Sequence, residues 1–421
     1  MSTLDHLSTV LKDIGSNSFP NEDDRLRAED LIVGALARIR KPWDIALNHN
    51  WVNPCTNAAT KTLIDAGVFK KWVEIKSKPQ TSVELARLTD TDPTLIKRIV
   101  RQLAAQHLLI ETAEDTYAPT PWATTLGTDP SFPALYGALY HDITVVVFGG
   151  MPSFLKKTGY KNPNDDKNGV IQHVKGPDAS FFGYIVADPI RNKDYTHAME
   201  CHSKGNMVSW TDLYPTATIL KDVKPGRALV VDIGGSKGHD LEKFRLKHPD
   251  IPEGSLVLQD LPGVLQDVHI SHTIISKQPY DFFTPQPVKG ARAYFLHTVL
   301  HDWPDDVAVE ILKVVAAAME KGYSKLLIHE GMVENIKPSL RTTTSDLTML
   351  ACHSSAERTV KEWGGVLNRA GLEIVKIWKQ PAAWEGIIEA ELLPFVTDSR
   401  EFSIGNPRKG SRKIGGPKAV L

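Results

Sequence analysis

The chain has 421 residues, of which 42% are hydrophobic and 24% are charged, and its formal net charge is −1. This composition is typical of a soluble globular protein with two or three domains, and the near-neutral charge favours no general attraction to nucleic acid or to an anionic membrane. The three cysteines lack metal-ligand and disulfide spacing, the first residues lack the basic and apolar blocks of a signal peptide, and no apolar run approaches the ~20 residues of a membrane span. We therefore expect a cytoplasmic protein without a membrane partner.

Residues 1–130 are predicted to form a mainly helical domain, because apolar residues recur at helical spacing between positions 22 and 110. A capping box at Thr81–Glu84 and the pair Asp92-Pro93 each begin a helix. A hairpin follows, with apolar residues on both sides of a turn at 114–116. Helix, turn, helix and hairpin in this order are typical of a winged helix. Acidic residues are interspersed among its basic ones, so we expect a dimerisation module rather than a nucleic-acid-binding one.

Residues 131–210 have a less regular pattern, and we interpret them as a helical linker that contributes to a substrate pocket. Met199, Met207 and Trp210 recur at helical spacing near the end of this region. Methionine and aromatic side chains in such positions either pack in the core or line an apolar pocket. Trp210 is therefore a candidate substrate-binding residue, with a core position as the alternative.

A strand, a glycine turn and a helix are predicted at the sequence RALVVDIGGSKG, residues 227–238. The apolar, β-branched run is interrupted only by Asp232 and ends at Gly234 and Gly235, while Gly238 opens the helix. Such a turn lets backbone approach a ligand closely, and the helix N-terminus suits a polar or anionic group. A second strand ends at Asp260, about 20 residues further on, where an acid can bind ribose hydroxyls. Because no register supplies G-x-G-x-x-G, S-adenosylmethionine is favoured over a dinucleotide.

Strand and helix patterns alternate beyond the glycine turn, with predicted strands at 256–260, 273–282, 290–299, 325–332, 372–378 and 385–391. This alternation predicts an α/β fold with a doubly wound, Rossmann-like sheet, which we assign to a domain at 211–393. Residues 394–421 lose the pattern and place several lysines and arginines among glycines. We predict a flexible basic tail there.

Three candidate catalytic residues follow predicted elements on the carboxyl side of this sheet, where open α/β sheets bind ligands. His301 and Glu330 each lie just beyond a strand, and Glu357 follows the segment 346–353. A phenol with a pKa of about 10 is mostly protonated at neutral pH, so its deprotonation needs a base such as histidine. A carboxylate beside the histidine would fix its tautomer and stabilise the imidazolium.

Each of these residues also has a structural alternative. His301 alone could cap the end of a strand, and Glu330 and Glu357 could each be solvated carboxylates. The acids near His301 raise a further alternative, a metal site. The two acids at 305–306 follow Pro304, however, where acids commonly begin a helix, and we therefore predict no metal.

The motifs taken together resemble those of a known family. They are VDIGG at 231–235, DLP at 260–262, HDW at 301–303, Glu330, and ERT at 357–359. In this order they are similar to the motifs of metal-independent, S-adenosylmethionine-dependent O-methyltransferases of the caffeate type and their fungal natural-product relatives. The resemblance covers roughly residues 25–392. It implies a class I methyltransferase domain, a homodimer formed through the N-terminal helices, and methyl transfer to a phenolic or enolic hydroxyl of a polyketide or related secondary metabolite.

The resemblance implies roles for the candidate residues, with His301 as general base flanked by Glu330 and Glu357. The candidate residues for binding S-adenosylmethionine lie on or after successive strands and are Asp232, Gly234, Gly235, Gly238, Asp260, Asp281, Phe282 and His297. Asp281 and Phe282 are expected near the adenine. The candidate substrate-binding residues are Asp302, Trp210 and Met349.

Three residues depart from the family pattern. Ser236 replaces the third glycine of the turn, Lys237 follows it, and His297 stands where plant members carry a lysine near the cofactor. The same fold also occurs in pericyclases that no longer transfer a methyl group, so a non-methylating, pericyclase-type enzyme is the alternative function. The presence of His301 with both glutamates favours methyl transfer. A winged-helix regulator that merely senses the cofactor is a third hypothesis.

Overall fold

The computed structural model describes residues 2–205, 208–266, 268–270, 273–381 and 383–394 of the chain. These residues divide into two compact units. The first contains the described residues of 1–145 and 188–207, and the second contains those of 146–187 and 208–421. The predicted linker, 131–210, thus contributes to both units. The predicted basic tail lies outside the described residues except for Pro394.

The first unit is mainly helical, as predicted. Its helices are α1 (Thr3–Leu11), α2 (Glu22–Ile39), α3 (Pro42–Leu47), α4 (Asn53–Asp65), α5 (Val68–Glu74), α6 (Ser82–Thr89), α7 (Pro93–Ala105), α8 (Pro121–Thr128) and α12 (Pro189–Lys204). A small sheet has the order β1-β3-β2, with β1 at Gln80–Thr81, β2 at Leu109–Ala113 and β3 at Thr116–Pro119. The predicted order of helix, turn, helix and hairpin is therefore present at α6, α7, β2 and β3.

Local capping explains where α6 and α7 begin. The Thr81 hydroxyl accepts the Glu84 N–H at 3.2 Å, while the Glu84 carboxylate accepts the Thr81 N–H at 2.7 Å. The Asp92 carboxylate accepts the Leu95 N–H at 2.8 Å, and Pro93 occupies the first helical position. These bonds satisfy backbone donors that the helices leave unpaired, which is why the capping signals could be read from the sequence.

The second unit contains the large sheet. Its helices are α9 (Val145–Lys157), α10 (Val170–Lys175), α11 (Phe181–Val186), α13 (Trp210–Leu213), α14 (His239–Lys247), α15 (Pro262–Leu265), α16 (Asp305–Ala316), α17 (Leu340–His353) and α18 (Val360–Arg369). Its strands are β4 (Val230–Ile233), β5 (Leu256–Asp260), β6 (Ile275–Pro279), β7 (Ala293–His297), β8 (Lys325–Gly331), β9 (Leu372–Trp378) and β10 (Glu385–Leu392). The predicted strands are confirmed, most of them with slightly narrower bounds.

The seven strands have the order β6-β5-β4-β7-β8-β10-β9. Neighbours are parallel from β6 to β8, whereas β10 runs antiparallel to both β8 and β9. This arrangement confirms the predicted α/β, Rossmann-like fold. The strand order reverses between β4 and β7, because β5 and β6 extend one way and β8 the other. Ligands of open α/β sheets bind beyond the carboxyl ends of the strands at such a point.

Both faces of the sheet are buried. Alternate residues of each central strand point to opposite faces, so that Tyr294 and Leu326 join one apolar cluster while Phe295 and Leu327 join the other. Helices α16 and α18 cover the first face, as shown by buried Ile311 and other apolar residues of the same cluster. The continuous apolar runs that predicted these strands are the consequence of this two-sided burial.

One helical stretch of the described chain, Phe132–Lys157, has the length and apolar composition of a membrane-spanning helix, with a mean hydropathy of 1.2. This likeness rests on length and composition alone, and a single such stretch is weak evidence that the chain spans a membrane. The expectation of no membrane partner therefore stays a prediction.

Candidate active site

The turn after β4 depends on backbone conformations that favour glycine. Gly234 and Gly238 have positive φ angles of 73° and 77°. A Cβ on Gly235 would lie 2.4 Å from Oδ2 of Asp232, which leaves no room for a side chain. Ser236, the departure from the family pattern, also adopts a positive φ, 49°, and its N–H donates to Oδ2 of Asp260 at 2.8 Å. The serine is thus accommodated without loss of the turn.

Asp260 lies beside this turn, as its spacing predicted. Its Oδ1 accepts the Leu261 N–H at 2.7 Å while its Oδ2 accepts that of Ser236. Burial raises the pKa of Asp260, although the two backbone donors oppose the shift. The neighbouring strand β6 ends at the same edge of the sheet, because the Tyr280 N–H, directly after β6, donates to the Asp260 carbonyl oxygen at 2.9 Å. Asp281 and Phe282 follow directly and therefore lie on the carboxyl side of the sheet near Asp260.

The region around the turn fits a nucleoside cofactor with a charged tail. Asp232 is almost fully buried at the end of β4, and its Oδ2 has no hydrogen-bond partner among the described residues. Burial raises the pKa of this carboxyl well above its usual range. Buried polar atoms are normally paired, so an unpaired one at a glycine turn points to a polar group brought by a ligand. The partly buried Phe282 ring, packed on Phe283 and Trp303, adds an apolar surface.

His301 is the centre of a second cluster at the same edge of the sheet. It lies on a short 3-10 helix, Leu300–Asp302, directly after β7, and is 9% exposed. Its Nδ1 lies 2.8 Å from Oε1 of Glu357 and 3.7 Å from Oε2 of Glu330. The structure therefore brings together the three predicted catalytic residues, although Glu357 is 56 positions from His301 in the sequence.

Glu330 fixes the backbone that carries His301. Its Oε1 accepts the N–H groups of Val299, Leu300 and His301 at 3.0, 2.8 and 3.4 Å. Glu330 is the second-last residue of β8 and is completely buried. Charge-assisted hydrogen bonds of this kind are strong because the site excludes water. Glu330 is therefore an anchor of the turn, in addition to being a charge near the imidazole.

Two further residues hold the same turn from the other side, and one of them belongs to the ERT motif of the sequence. Arg358 is 2% exposed, and its guanidinium donates to the carbonyl oxygens of Leu300 and Trp303 at 3.1 and 2.7 Å. The Ser355 hydroxyl donates to the carbonyl oxygens of His301 and Trp303. Arg358 could be found as part of the ERT motif, whereas Ser355 carries no local signal.

One face of α17 borders the cluster. Ser345, Met349 and His353 are spaced four residues apart and therefore share a helical face. The Ser345 hydroxyl donates to Oε1 of Glu357 at 2.6 Å, and Nε2 of His353 lies 3.4 Å from Oδ1 of Asp302. The partly buried Met349 lies between these two contacts along the helix.

His353 also meets two aromatic rings from α11. The centroids of Phe181 and Phe182 lie 4.5 and 5.6 Å from that of the imidazole. The same Oδ1 of Asp302 that faces His353 lies 3.7 Å from Nε2 of His301. Asp302 and Met349, two of the predicted substrate-binding residues, are thus near an aromatic surface that sequence patterns in 131–210 did not reveal.

Trp210 occupies the core. It has no exposed surface, its ring stacks on Phe244 with centroids 5.7 Å apart, and it contacts Phe295 at 4.5 Å. The indole N–H donates to the Asp240 carbonyl oxygen at 3.0 Å. The faces and the polar atom of this ring are occupied by protein, so the structure corrects its assignment as a substrate-binding residue in favour of the core alternative.

Opposing effects set the charge of the His301 cluster. Burial lowers the pKa of His301, but the carboxylates of Glu330, Asp302 and Glu357 outweigh it and raise this pKa to about 10. Burial raises the pKa of Glu357, yet His301 and Ser345 bring it below its ordinary value. Burial raises the pKa of Asp302 to about 7 and lowers that of His353 to about 3. A charged carboxylate therefore faces Nδ1 of His301.

His297, the remaining cofactor candidate, ends β7. Its Nδ1 lies 2.6 Å from Oδ2 of Asp240 at the start of α14. Because α14 follows the glycine turn directly, the ion pair joins β7 to that turn. The lysine of plant members is thus replaced by a partly buried histidine held by an acid.

Comparison with known proteins identifies the family. Residues 163–373 match the family described as O-methyltransferase domain. O-methyltransferase mfmE of Annulohypoxylon moriforme is 38% identical over 386 residues, which are 92% of this chain and 95% of that protein. The chain belongs to the O-methyltransferase family. It is an enzyme that uses S-adenosylmethionine, and the resemblance seen in its motifs is confirmed.

Solved structures of other proteins have the same fold as this methyltransferase. The structure of LepI in complex with SAM is similar with a TM-score of 0.83 and 25% identity, covering 93% of this chain and 99% of that one. OxaC in complex with sinefungin and meleagrin has a TM-score of 0.78 and 26% identity, covering 92% and 98%. A structure described as a pericyclic reaction enzyme matches with a TM-score of 0.83, 25% identity, and the same coverage as LepI.

Replacing Gly235 by alanine tests the turn of the methyltransferase. Its Cβ would meet Asp232 and Leu258 at 2.4–2.6 Å, and overpacking of this kind costs about 1–3 kcal/mol. We expect a lower melting temperature and weaker S-adenosylmethionine binding, measured by thermal unfolding and calorimetry. Gly365→Ala is the control, because its Cβ would meet nothing within 4 Å and the residue is helical. Equal melting and cofactor affinity of Gly235→Ala and the native protein would contradict the expectation.

Proposed function

We propose that the chain transfers a methyl group from S-adenosylmethionine to a phenolic or enolic hydroxyl of a polyketide or related secondary metabolite, with His301 as general base. The contact between Nδ1 of His301 and the buried carboxylate of Glu357 carries this proposal. The three cysteines lack the spacing of a disulfide framework, which supports a reducing, cytoplasmic setting.

The cofactor would be held at the carboxyl ends of β4 to β7. The glycine turn at 234–238 offers backbone, Asp260 offers a carboxylate suited to ribose hydroxyls, and Asp281 with Phe282 would border the adenine. Asp232, which is buried, and His297, which is partly buried, lie in the same region and would face the charged tail. Bound S-adenosylmethionine supplies a methyl group on a sulfonium sulfur, which needs little covalent help from the protein.

His301 is oriented to remove a proton from an acceptor. Glu357 engages Nδ1 and holds the proton there, which leaves Nε2 as the basic nitrogen. Ser345 donates to the same carboxylate oxygen and Glu330 holds the backbone, so the imidazole has little freedom to rotate. Orientation of the base and acceptor is the main contribution that an enzyme makes to such a transfer.

The surface around Asp302 supports an aromatic acceptor. Phe181, Phe182 and His353 offer ring faces and edges, while Asp302 lies within 3.7 Å of both histidines and can accept a hydrogen bond from a hydroxyl. Aromatic rings associate well with such surfaces, and a few polar groups then fix their orientation. Met349, on the same helical face as His353, would add a deformable apolar contact.

The alternative function is a non-methylating, pericyclase-type reaction. The similarity in fold to a pericyclic reaction enzyme supports it. In that case the same pocket would orient and polarise a substrate without consuming the cofactor. Arg341, which lies over the Trp384 ring at 4.6 Å, is a cation that such a mechanism could use.

Replacing His301 by alanine distinguishes these functions. The variant should lose about 10²–10⁴-fold in production of S-adenosylhomocysteine from a panel of phenols and enols, because general-base catalysis contributes that much. Cofactor affinity, measured by calorimetry, should change little. His248→Ala is the control, since this histidine contacts Thr216 at the far end of α14. Substrate conversion without S-adenosylhomocysteine would instead support the pericyclase alternative, and a fully active His301→Ala would exclude the proposed base.

The pH profile tests the charge of the centre. With a pKa of about 10, His301 is mostly protonated at neutral pH, so kcat/KM should rise as the pH increases from 7 toward 10. Glu357→Gln removes a negative charge and should therefore move the rise of kcat/KM to lower pH. The maximal rate should fall, because the tautomer of His301 is no longer fixed. The acceptor ionises in the same way in assays of both proteins, so its ionisation does not contribute to the difference between their pH profiles. A pH dependence of kcat/KM that is the same in Glu357→Gln as in the native protein would argue against coupling between His301 and Glu357.

The enzyme is further proposed to be a homodimer formed through its N-terminal helices. Helices α1 and α2 contain no buried residue, yet they carry nine large apolar side chains with exposures of 40–73%: Leu4, Leu7, Val10, Leu11, Leu31, Ile32, Val33, Leu36 and Ile39. Extended apolar patches of this kind mark protein interfaces.

Substitution of Leu31 by glutamate tests the dimer. Leu31 is 72% exposed, and a charge at a buried interface is costly, so we expect Leu31→Glu to shift the dimer toward monomer in sedimentation velocity experiments. Ile336→Glu is the matched control, since Ile336 is 81% exposed in the other unit. A native protein that sediments as a monomer, or a variant with unchanged association, would contradict the proposed interface.

A further inference from the structure

Three neighbouring strands place a second group of histidine and acidic side chains on one face of the sheet. His297 of β7 and His329 of β8 are register partners. Glu385, which begins β10, pairs with Gly331, two residues beyond His329. Because side chains alternate along a strand, His329 and Glu385 project from the same face. The following residue, Glu330, points to the opposite face and belongs to the His301 centre.

The ligand atoms of this group are close enough to share one ion. Nε2 of His297 and Nε2 of His329 each lie 3.7 Å from Oε2 of Glu385, and the three ligand atoms lie within 4.8 Å of one another. The imidazole rings stack with centroids 4.1 Å apart and planes 21° from parallel, so one ring has to turn for both nitrogens to direct their lone pairs at the same ion. With metal–ligand bonds of about 2.1 Å, two atoms 3.7 Å apart can bind one ion at an angle of about 120°.

The surroundings orient the first histidine for this role. Asp240 lies 2.6 Å from Nδ1 of His297, the arrangement by which a carboxylate fixes the tautomer of a metal-binding imidazole. This contact directs the opposite nitrogen, Nε2, toward Glu385. Nε2 of His297 is buried and has no hydrogen-bond partner among the described residues. Asp232 adds a further buried carboxylate near Asp240, while Lys243 pairs with Asp240 at 3.2 Å.

We propose that His297, His329 and Glu385 form a binding site for a divalent transition metal, Zn²⁺ being the ion whose usual ligands match this set. Two imidazole nitrogens and a carboxylate are a known zinc donor set that leaves further positions open to other ligands. This proposed site differs from the expectation, based on the sequence, that the protein binds no metal. The set shares His297 with the region proposed to face the charged tail of the cofactor, and it does not include His301, which is held by a different pair of acids.

The His301 cluster is less suited to a metal although it also combines a histidine with two acids. Oε1 of Glu330 already accepts three backbone N–H groups, and Oε1 of Glu357 is bound to His301 and to Ser345. An ion bound to Nδ1 of His301 would displace the contact between that nitrogen and Glu357. The two clusters can therefore be distinguished by substitution.

Metal binding to the chelator-treated, full-length protein tests the proposal. Zn²⁺ bound after equilibrium dialysis is counted by elemental analysis, and Co²⁺ is used as a spectroscopic probe in the absence of S-adenosylmethionine. We expect one equivalent of metal and the visible d–d absorption of low-coordinate Co²⁺. Glu385→Gln, which keeps the shape of the side chain, and His329→Asn should each weaken binding by about 100-fold or more, and Asp240→Asn by about 10–100-fold.

His301→Asn is the control and should retain full metal binding. Circular dichroism and thermal unfolding of each variant separate loss of a ligand from loss of the fold, and Glu385→Gln serves if His329→Asn does not fold. The proposal is overturned if the native protein binds no more Zn²⁺ or Co²⁺ than Glu385→Gln, or if His301→Asn loses the metal. Thiolate charge-transfer absorption would also overturn it, since it would assign the ion to a cysteine.

Discussion

The proposed catalytic centre depends on one buried carboxylate that binds backbone. Glu330, at the end of β8, accepts N–H groups from three successive residues of the turn that follows β7. This interaction ties the ends of two neighbouring strands together and fixes where His301 stands. Arg358 and Ser355 then bind the carbonyl oxygens of the same turn. The contact between His301 and Glu357 is possible because the turn is held from both sides.

The carboxylates that orient His301 also change its basicity. Burial would favour a neutral imidazole, but Glu330, Asp302 and Glu357 favour the imidazolium and raise the pKa to about 10. As the proposed base, an imidazole with this pKa would be well matched to a phenol, whose own pKa is about 10. The same strength leaves the imidazole protonated at neutral pH in the free protein. A positive charge on a bound cofactor would disfavour the imidazolium and would therefore lower the pKa of His301.

Much of the fold and the main members of the site could be predicted from the sequence. Apolar runs located the strands, capping residues located α6 and α7, and motif order led to the family that the comparisons show. His301, Glu330 and Glu357 could be found because each lies at or just beyond the end of a predicted element on the carboxyl side of the sheet. Trp210 was assigned to substrate because a buried tryptophan and a pocket tryptophan have the same helical spacing. Only its contacts with Phe244 and Phe295 separate the two.

The sequence by itself determined the local features: where strands and helices begin, where backbone must turn at glycine, and which side chains could act as acids or bases. The tertiary structure alone decided which of these side chains meet. Phe181 and Phe182 reach His353, and Ser345 reaches Glu357, through helix packing that leaves no short-range pattern. His329 and Glu330 are adjacent in the chain but enter different clusters, because a strand directs successive side chains to opposite faces and only the register of β7, β8 and β10 supplies their partners.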